Sequence, residues 1–229
     1  MVAEYGKQTS LDKPIEDRPS TCYQKKSKTL IFNFTQNYQL ITRLQLNNVT
    51  LEVIPKTKLF GVIIQDNLKW DENTANLVKR ANARMVLLQK LSEFGAPRED
   101  MKTIYIAYIR SILEQSCVVW HTSLTEENKD DLTRVQKTSC RIILKNRYIS
   151  YQNALDLLDL EDLGVRRDIL CKSFARKSTK YSRKHFKLND NPYTMKLRNP
   201  DEYQVTHCNT ERLKISAVPQ MQLMLNQGT

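Results

Sequence analysis

Nine basic residues fall between positions 166 and 187 (Arg166, Arg167, Lys172, Arg176, Lys177, Lys180, Arg183, Lys184 and Lys187) against one acid, Asp168. This stretch therefore carries +8 of the chain's formal +11. Cations at that density neutralise phosphates: each contact releases a condensed counterion, so five contacts would make affinity fall with about the 4.5 power of salt concentration. Without contacts to base edges such binding is sequence-tolerant. The competing reading is a solvated helix face, with Ile169, Leu170 and Phe174 turned inward and the lysines pointing to water. The acidic run Asp156, Asp159, Glu161 and Asp162 just before it could neutralise part of the patch. A second cationic surface is predicted on an earlier helix, where Lys79 and Lys90 project opposite the apolar stripe and Arg80 flanks it. Arg84 falls close to the apolar side, where its stem would snorkel along packed neighbours.

Other chemistries find less material. Two-metal phosphoryl transfer needs carboxylates on adjacent strands, holding ions about 4 Å apart. The only Asp-Asp pair is Asp130-Asp131, in the first turns of a predicted helix, where acids favour the macrodipole. No phosphate loop of the G-x-x-x-x-G-K-[ST] type and no G-x-S-x-G elbow occurs among five glycines. His121 follows Trp120 at a helix end, and a satisfied histidine is the commoner outcome there than a general base. The five cysteines include no C-x-x-C pair, and Cys117, Cys140 and Cys171 sit in apolar helical patterns as buried thiols. His207-Cys208 lacks a second ligand pair. No catalytic residue, metal ligand or cofactor site is predicted.

These residues need elements to carry them. At 229 residues, 40% apolar and 27% charged, the chain can bury one core of ordinary size or two small ones. Its charge points to a polyanion, nucleic acid before an acidic membrane surface. MVAEYGKQTS lacks the apolar core of a signal peptide, and the longest apolar stretch is broken by Arg110, so no membrane span is expected and the compartment is cytoplasmic or nuclear. Residues 1–26 read as a flexible leader. Over 27–70 short strands are expected, mostly antiparallel: Leu30 to Phe34, a hairpin in LQLNNVTLEV turning at Asn47-Asn48, and Leu59 to Ile64.

Helical spacing begins after Trp70. Asp71 or Asn73 can cap a helix carrying Leu77, Val78, Ala81, Met85, Leu88 and Leu91 inward, ended by Gly95-Ala96-Pro97. Pro97 opens a second helix with one apolar stripe, Met101, Ile104, Tyr105, Tyr108, Ile109, Ile112 and Leu113. A third begins near Ser123 to Thr125, with Ser123 and Glu126 at capping-box spacing, and turns Leu132, Val135, Cys140, Ile142 and Ile143 inward. A fourth follows from Tyr151 and a basic fifth from Gly164 to about Tyr181. The expected fold class is α+β: a small N-terminal antiparallel β-hairpin region, a mostly α-helical bundle over 71–181, and an irregular tail over 182–229. In that tail only Met221 to Leu225 looks able to pack.

KLFGVIIQDNLKW (Lys58 to Trp70), ARMVLLQKLS, YIAYIRSILEQSCVVWHTSL, RVQKTSCRIIL and ALDLLDLEDLGVRRDILCKSFARK follow one another in an order that resembles the end of the polymerase region in reverse transcriptases of non-LTR retrotransposons. The resemblance is to the jockey-like long interspersed elements, from the last palm strands into a helical thumb, and spans roughly Lys25 to Gln227. It implies a primer-supporting hairpin at Leu59, Phe60, Gly61 and Val62. It further implies a template-primer duplex, an RNA-DNA hybrid or RNA, held by Lys79, Arg80, Lys90, Arg166, Arg167, Lys172, Arg176 and Lys177. The catalytic carboxylates, with the two magnesium ions of the intact parent polymerase, and the endonuclease would lie upstream of Met1, so the chain alone is not expected to polymerise. The alternatives are a helical interaction module, with Tyr105/Tyr108 and Leu132/Val135 recruiting a protein, or a degenerate element fragment without activity of its own.

Overall fold

The computed structural model describes residues 27–32, 44–46, 49–182, 184–188 and 203–227; the expected leader over 1–26 lies outside them. Clustering of the chain gives two compact units, Met1–Pro55 and Lys56–Thr229. The division falls ahead of the Lys58 to Trp70 hairpin rather than after it.

Among the described residues the first unit contains four two-residue strands, β1 (Lys28–Thr29), β2 (Gln45–Leu46), β3 (Val49–Thr50) and β4 (Glu52–Val53). β2 and β3 form the expected antiparallel hairpin, with Leu46 opposite Val49; the connecting Asn47-Asn48 lies outside the described residues. The first strand, however, is Lys28–Thr29 and not Leu30 to Phe34: Leu30 to Phe32 take no strand conformation, and Asn33 and Phe34 fall outside the description. It pairs with β4 in parallel, Lys28 opposite Glu52, where mostly antiparallel pairing was expected. The local pattern specifies which residues extend, whereas pairing is set by what lies across. Here Lys28 Nζ meets Glu52 Oε2 at 2.9 Å, an exposed pair that fixes register more than stability.

In the second unit, β5 (Lys56–Leu59) and β6 (Val62–Gln65) form an antiparallel hairpin. Leu59 to Ile64 is therefore not one strand, because the chain reverses inside it. Phe60 (φ 49°) and Gly61 (φ 86°) both take positive φ, the requirement of the tight turn whose twist matches the flanking strands. The hairpin is tied to the helix that follows, α1 (Asp71–Glu93). Ile63 N–H donates to Asn73 Oδ1 at 3.1 Å, and Glu72 N–H to Gln65 Oε1 at 3.4 Å. Neither expected cap serves as one: Trp70 occupies the cap position without a side-chain bond, Asn73 is committed to the strand, and Asp71 accepts from Asn128 Nδ2 at 2.8 Å.

The expected stripe of α1 is buried at Leu77, Ala81, Met85 and Leu88. The second helix starts as α2 (Arg98–Ile104), widens into a π-helical segment over Tyr105–Arg110, and returns to α geometry in α3 (Ser111–Leu113). Met101, Tyr105, Ile109 and Leu113, four residues apart, are all buried. At 3.6 residues per turn that spacing would drift around the helix, and the wider turn keeps it on one face. Tyr108 leaves the stripe and is 48% exposed. After a left-handed Ser116 come α4 (Cys117–Trp120) and a 3-10 turn over His121–Ser123.

α5 (Glu126–Leu144) is capped by Thr125, whose Oγ1 accepts from Asn128 N–H, and not by Ser123, which donates to the Ile215 carbonyl at 2.8 Å. Ser150 caps α6 (Tyr151–Leu158) and Asp162 caps α7 (Leu163–Ser178). The tail is not wholly irregular: α8 (Glu211–Lys214) and α9 (Ala217–Asn226) form within it. Pro219 falls in the first turn of α9, where a missing N–H costs nothing. Met221 and Leu225 pack with Ala175 and Phe186, as their pattern predicted. α1 lies along α5, and α7 lies against α4, α5 and α9. Among the described residues no helix is long and apolar enough to cross a membrane.

Candidate functional site

α7 presents two unlike faces. Leu163, Arg167, Cys171 and Ala175 recur every fourth residue and are buried. On the outer side Ile169, Lys172, Ser173, Arg176, Lys177, Lys180 and Tyr181 line one cleft of about 730 Å³. Ile169, Lys172, Ser173, Arg176 and Lys177 are spaced i, i+3, i+4, i+7 and i+8, one helical face, which Lys180 and Tyr181 extend on the turn after Ser178. Ile169 and Phe174, which the competing solvated-face reading turned inward, are each 46% exposed; Leu170 alone of that trio packs against the core. Among the described residues no carboxylate pairs with Lys172, Arg176, Lys177 or Lys180. Arg183 lies outside the described residues. Sequence reading left out Ser173 and Tyr181, although their spacing from Ile169 was the available signal.

Two residues assigned to phosphate contact are engaged elsewhere. Arg166 Nε meets Glu114 Oε1 at 3.0 Å and its Nη1 meets Glu161 Oε2 at 3.2 Å. Burial opposes its charged form, but these two carboxylates outweigh that and raise its pKa. Of the acidic run, Glu161 pairs with the basic stretch; Asp162 caps α7 and acts on Arg167, and Asp159 approaches Lys102 at 3.6 Å.

Arg167 is 1% exposed and cannot reach a phosphate in this fold. Its position in the Leu163–Cys171–Ala175 stripe is the reason. Its Nε–H donates to His121 Nδ1 at 3.1 Å, its guanidinium lies 5.8 Å from the Trp120 ring centre, and its Nη1 has no partner. Burial lowers its pKa, though guanidinium remains protonated at any ordinary pH.

The bond from Arg167 fixes His121 as the tautomer protonated at Nε2, which donates to Asp168 Oδ1 at 3.0 Å. Burial and then the Arg167 cation lower the His121 pKa, against the opposing pull of Asp168. The His121–Asp168 contact is accordingly a neutral hydrogen bond rather than an ion pair. A satisfied histidine thus stands where a general base was the other option. Both Cys117 and Cys171 are buried; Cys171 and then Arg167 lower the Cys117 pKa against the effect of burial, whereas Cys171 is raised by Cys117 and by burial.

On α1, Lys79 and Lys90 are exposed and eleven residues apart, hence on one face. Arg80 is half-buried, its Nη1 bonded to Gln115 Oε1 at 2.7 Å. Arg84 is exposed rather than turned toward packed neighbours. None of these residues lines the α7 cleft. At the hairpin, Val62 is buried, Leu59 half exposed, and Phe60 stands 91% exposed at the tip. Gly61 rests on Gln115: a Cβ there would lie 2.5 Å from Gln115 Nε2.

Asp130 and Asp131 are not arranged as the two-metal site of a polymerase would require. Asp130 is exposed and Asp131 pairs with Arg134 at 2.9 Å on the surface of α5. Among the described residues no group of three or more His, Cys, Asp or Glu is placed to hold a metal. Comparison with family models, curated proteins and solved structures gives no match.

Proposed function

We propose that this chain holds nucleic acid, and that it corresponds to the end of the palm and the thumb of a non-LTR retrotransposon RNA-directed DNA polymerase. It would grip an RNA-DNA hybrid or RNA through phosphates while the carboxylate chemistry belongs to other parts of the parent enzyme. The observation that carries the reading is the outer side of α7 and the turn after it: Lys172, Arg176, Lys177 and Lys180 converge on one cleft, and among the described residues none of them is paired with a carboxylate. Opposed charges would be expected on a merely solubilising face, as seen at Lys129–Glu126 and Arg134–Asp131. The retrotransposon origin rests on the residues quoted above and on the order hairpin, long helix, second helix and a short helix ending at Trp120, which suits a palm-to-thumb passage. Such a role belongs in the cytoplasm or nucleus.

The interaction-module reading loses its surface, because Tyr105, Leu132 and Val135 are core residues and only Tyr108 is exposed. Four phosphate contacts on α7 would give an affinity falling with about the 3.6 power of salt. Fluorescence anisotropy on a labelled RNA-DNA hybrid, repeated across salt concentrations, reads that slope. Arg176→Gln with Lys177→Gln should lower it by about two. A flat salt response in the unaltered chain rejects the proposal.

A further inference from the structure

We propose that the α7 cleft takes an unpaired strand of nucleic acid, with one base stacked on Tyr181 and the adjoining phosphates on Lys172, Arg176, Lys177 and Lys180. This rests on the phosphate-binding reading above and specifies its ligand.

Tyr181 is 90% exposed, on the turn that ends α7, and lines the same cleft as the four cations. An aromatic ring carries a large apolar area, and the described core leaves this one in water. Lys172 and Lys177 are five residues apart on α7, about 7.5 Å along its axis, and Lys180 follows on the turn, so the cations form a short track with the ring at one end. Ile169 supplies an apolar wall at the other.

A positive groove with an exposed ring beside it is how proteins hold single strands, because every base has a face to stack and the backbone meets the cations. Inside a duplex those faces are already covered by neighbouring bases, so the ring would gain nothing there. The cleft volume, about 730 Å³, is within the range that encloses a ligand of nucleotide size. An acidic peptide would satisfy the cations but would leave the ring without a partner, which favours the nucleic acid.

The test uses the full chain, Tyr181→Ala and Tyr181→Phe, with circular dichroism to check that each is folded; a ring this exposed can be removed without opening the core. Anisotropy is measured with a single-stranded RNA and with a blunt RNA-DNA hybrid. Tyr181→Ala should weaken single-strand binding by about 5- to 100-fold, leave hybrid binding within about 2-fold, and leave the salt slope unaltered. Tyr181→Phe should keep the affinity, since stacking needs the ring and not the hydroxyl. Equal loss on both ligands, or loss on neither, overturns the stacked strand while steep salt dependence keeps phosphate binding intact. Absence of salt-dependent binding to either ligand overturns both proposals together.

Discussion

Gln136 holds the start of the basic helix, and replacing it tests the packing account. It is fully buried. Its Oε1 accepts from Tyr151 Oη at 2.8 Å and from Leu163 N–H at 2.9 Å, while its Nε2 donates to the Glu161 carbonyl at 2.9 Å. One side chain on α5 thereby fixes both the end of the α6–α7 connection and the first residue of α7. Gln136→Leu keeps the volume and removes all three bonds. Tyr151 Oη retains Asp162 Oδ2 at 2.9 Å, but the buried Leu163 N–H is orphaned. That orphan costs about 1–3 kcal/mol and the remaining losses about 1, so the variant should lose about 2–4 kcal/mol.

In a unit of this size the loss lowers Tm by roughly 5–15 °C. Urea unfolding followed by circular dichroism gives the free energy, and amide exchange should quicken at Leu163 first. Tyr151→Phe is the control: it removes the hydroxyl's contacts to Gln136 and Asp162 at a cost of about 1–3 kcal/mol but leaves Leu163 N–H its acceptor, so amide exchange at Leu163 should not be the first to quicken. If Gln136→Leu is within about 0.5 kcal/mol of the unaltered chain, the bonds are not what fixes α7.

Gly61→Ala should destabilise the second unit by about 1–3 kcal/mol in the same urea assay, from left-handed strain plus displacement of Gln115 from Arg80; an unchanged midpoint would mean the turn can shift freely. Tyr105→Phe should leave stability unchanged or raise it by up to about 2 kcal/mol, because the buried Tyr105 hydroxyl has no partner, and a clear loss would reveal a bond to that oxygen. For His121 the folded pKa is depressed, chiefly by burial and Arg167, so the unfolded chain binds the proton first. Stability contributed by neutral His121 is complete above the unfolded value of about 6.5 and declines as pH falls from there toward the folded pKa. Urea midpoints at pH 7.5 and 5.5 should show the decline, and His121→Gln should reduce it. A His121 ring resonance titrating above the ordinary histidine range contradicts the assignment.

The amino-acid sequence by itself determined what is local or periodic: the α+β class, the long helices, and the inward stripes at Leu77–Leu88 and Met101–Leu113. The Asn47-Asn48 hairpin pairing and the small packing segment at Met221 to Leu225 were legible for the same reason. A charge count also located the basic stretch, because charge is a property of composition. It did not settle which of its cations face water. Arg166 and Arg167 differ by one position yet meet Glu114 and His121 from other helices, contacts at sequence separations no local pattern reports. The exposed Ile169 and Phe174 followed the same rule, since a helix with apolar residues on two sides turns inward whichever side its neighbours fill, here the one holding Cys171 and Ala175. The parallel pairing of Lys28 with Glu52 was likewise decided by a long-range partner, because strand propensity is silent about what lies across.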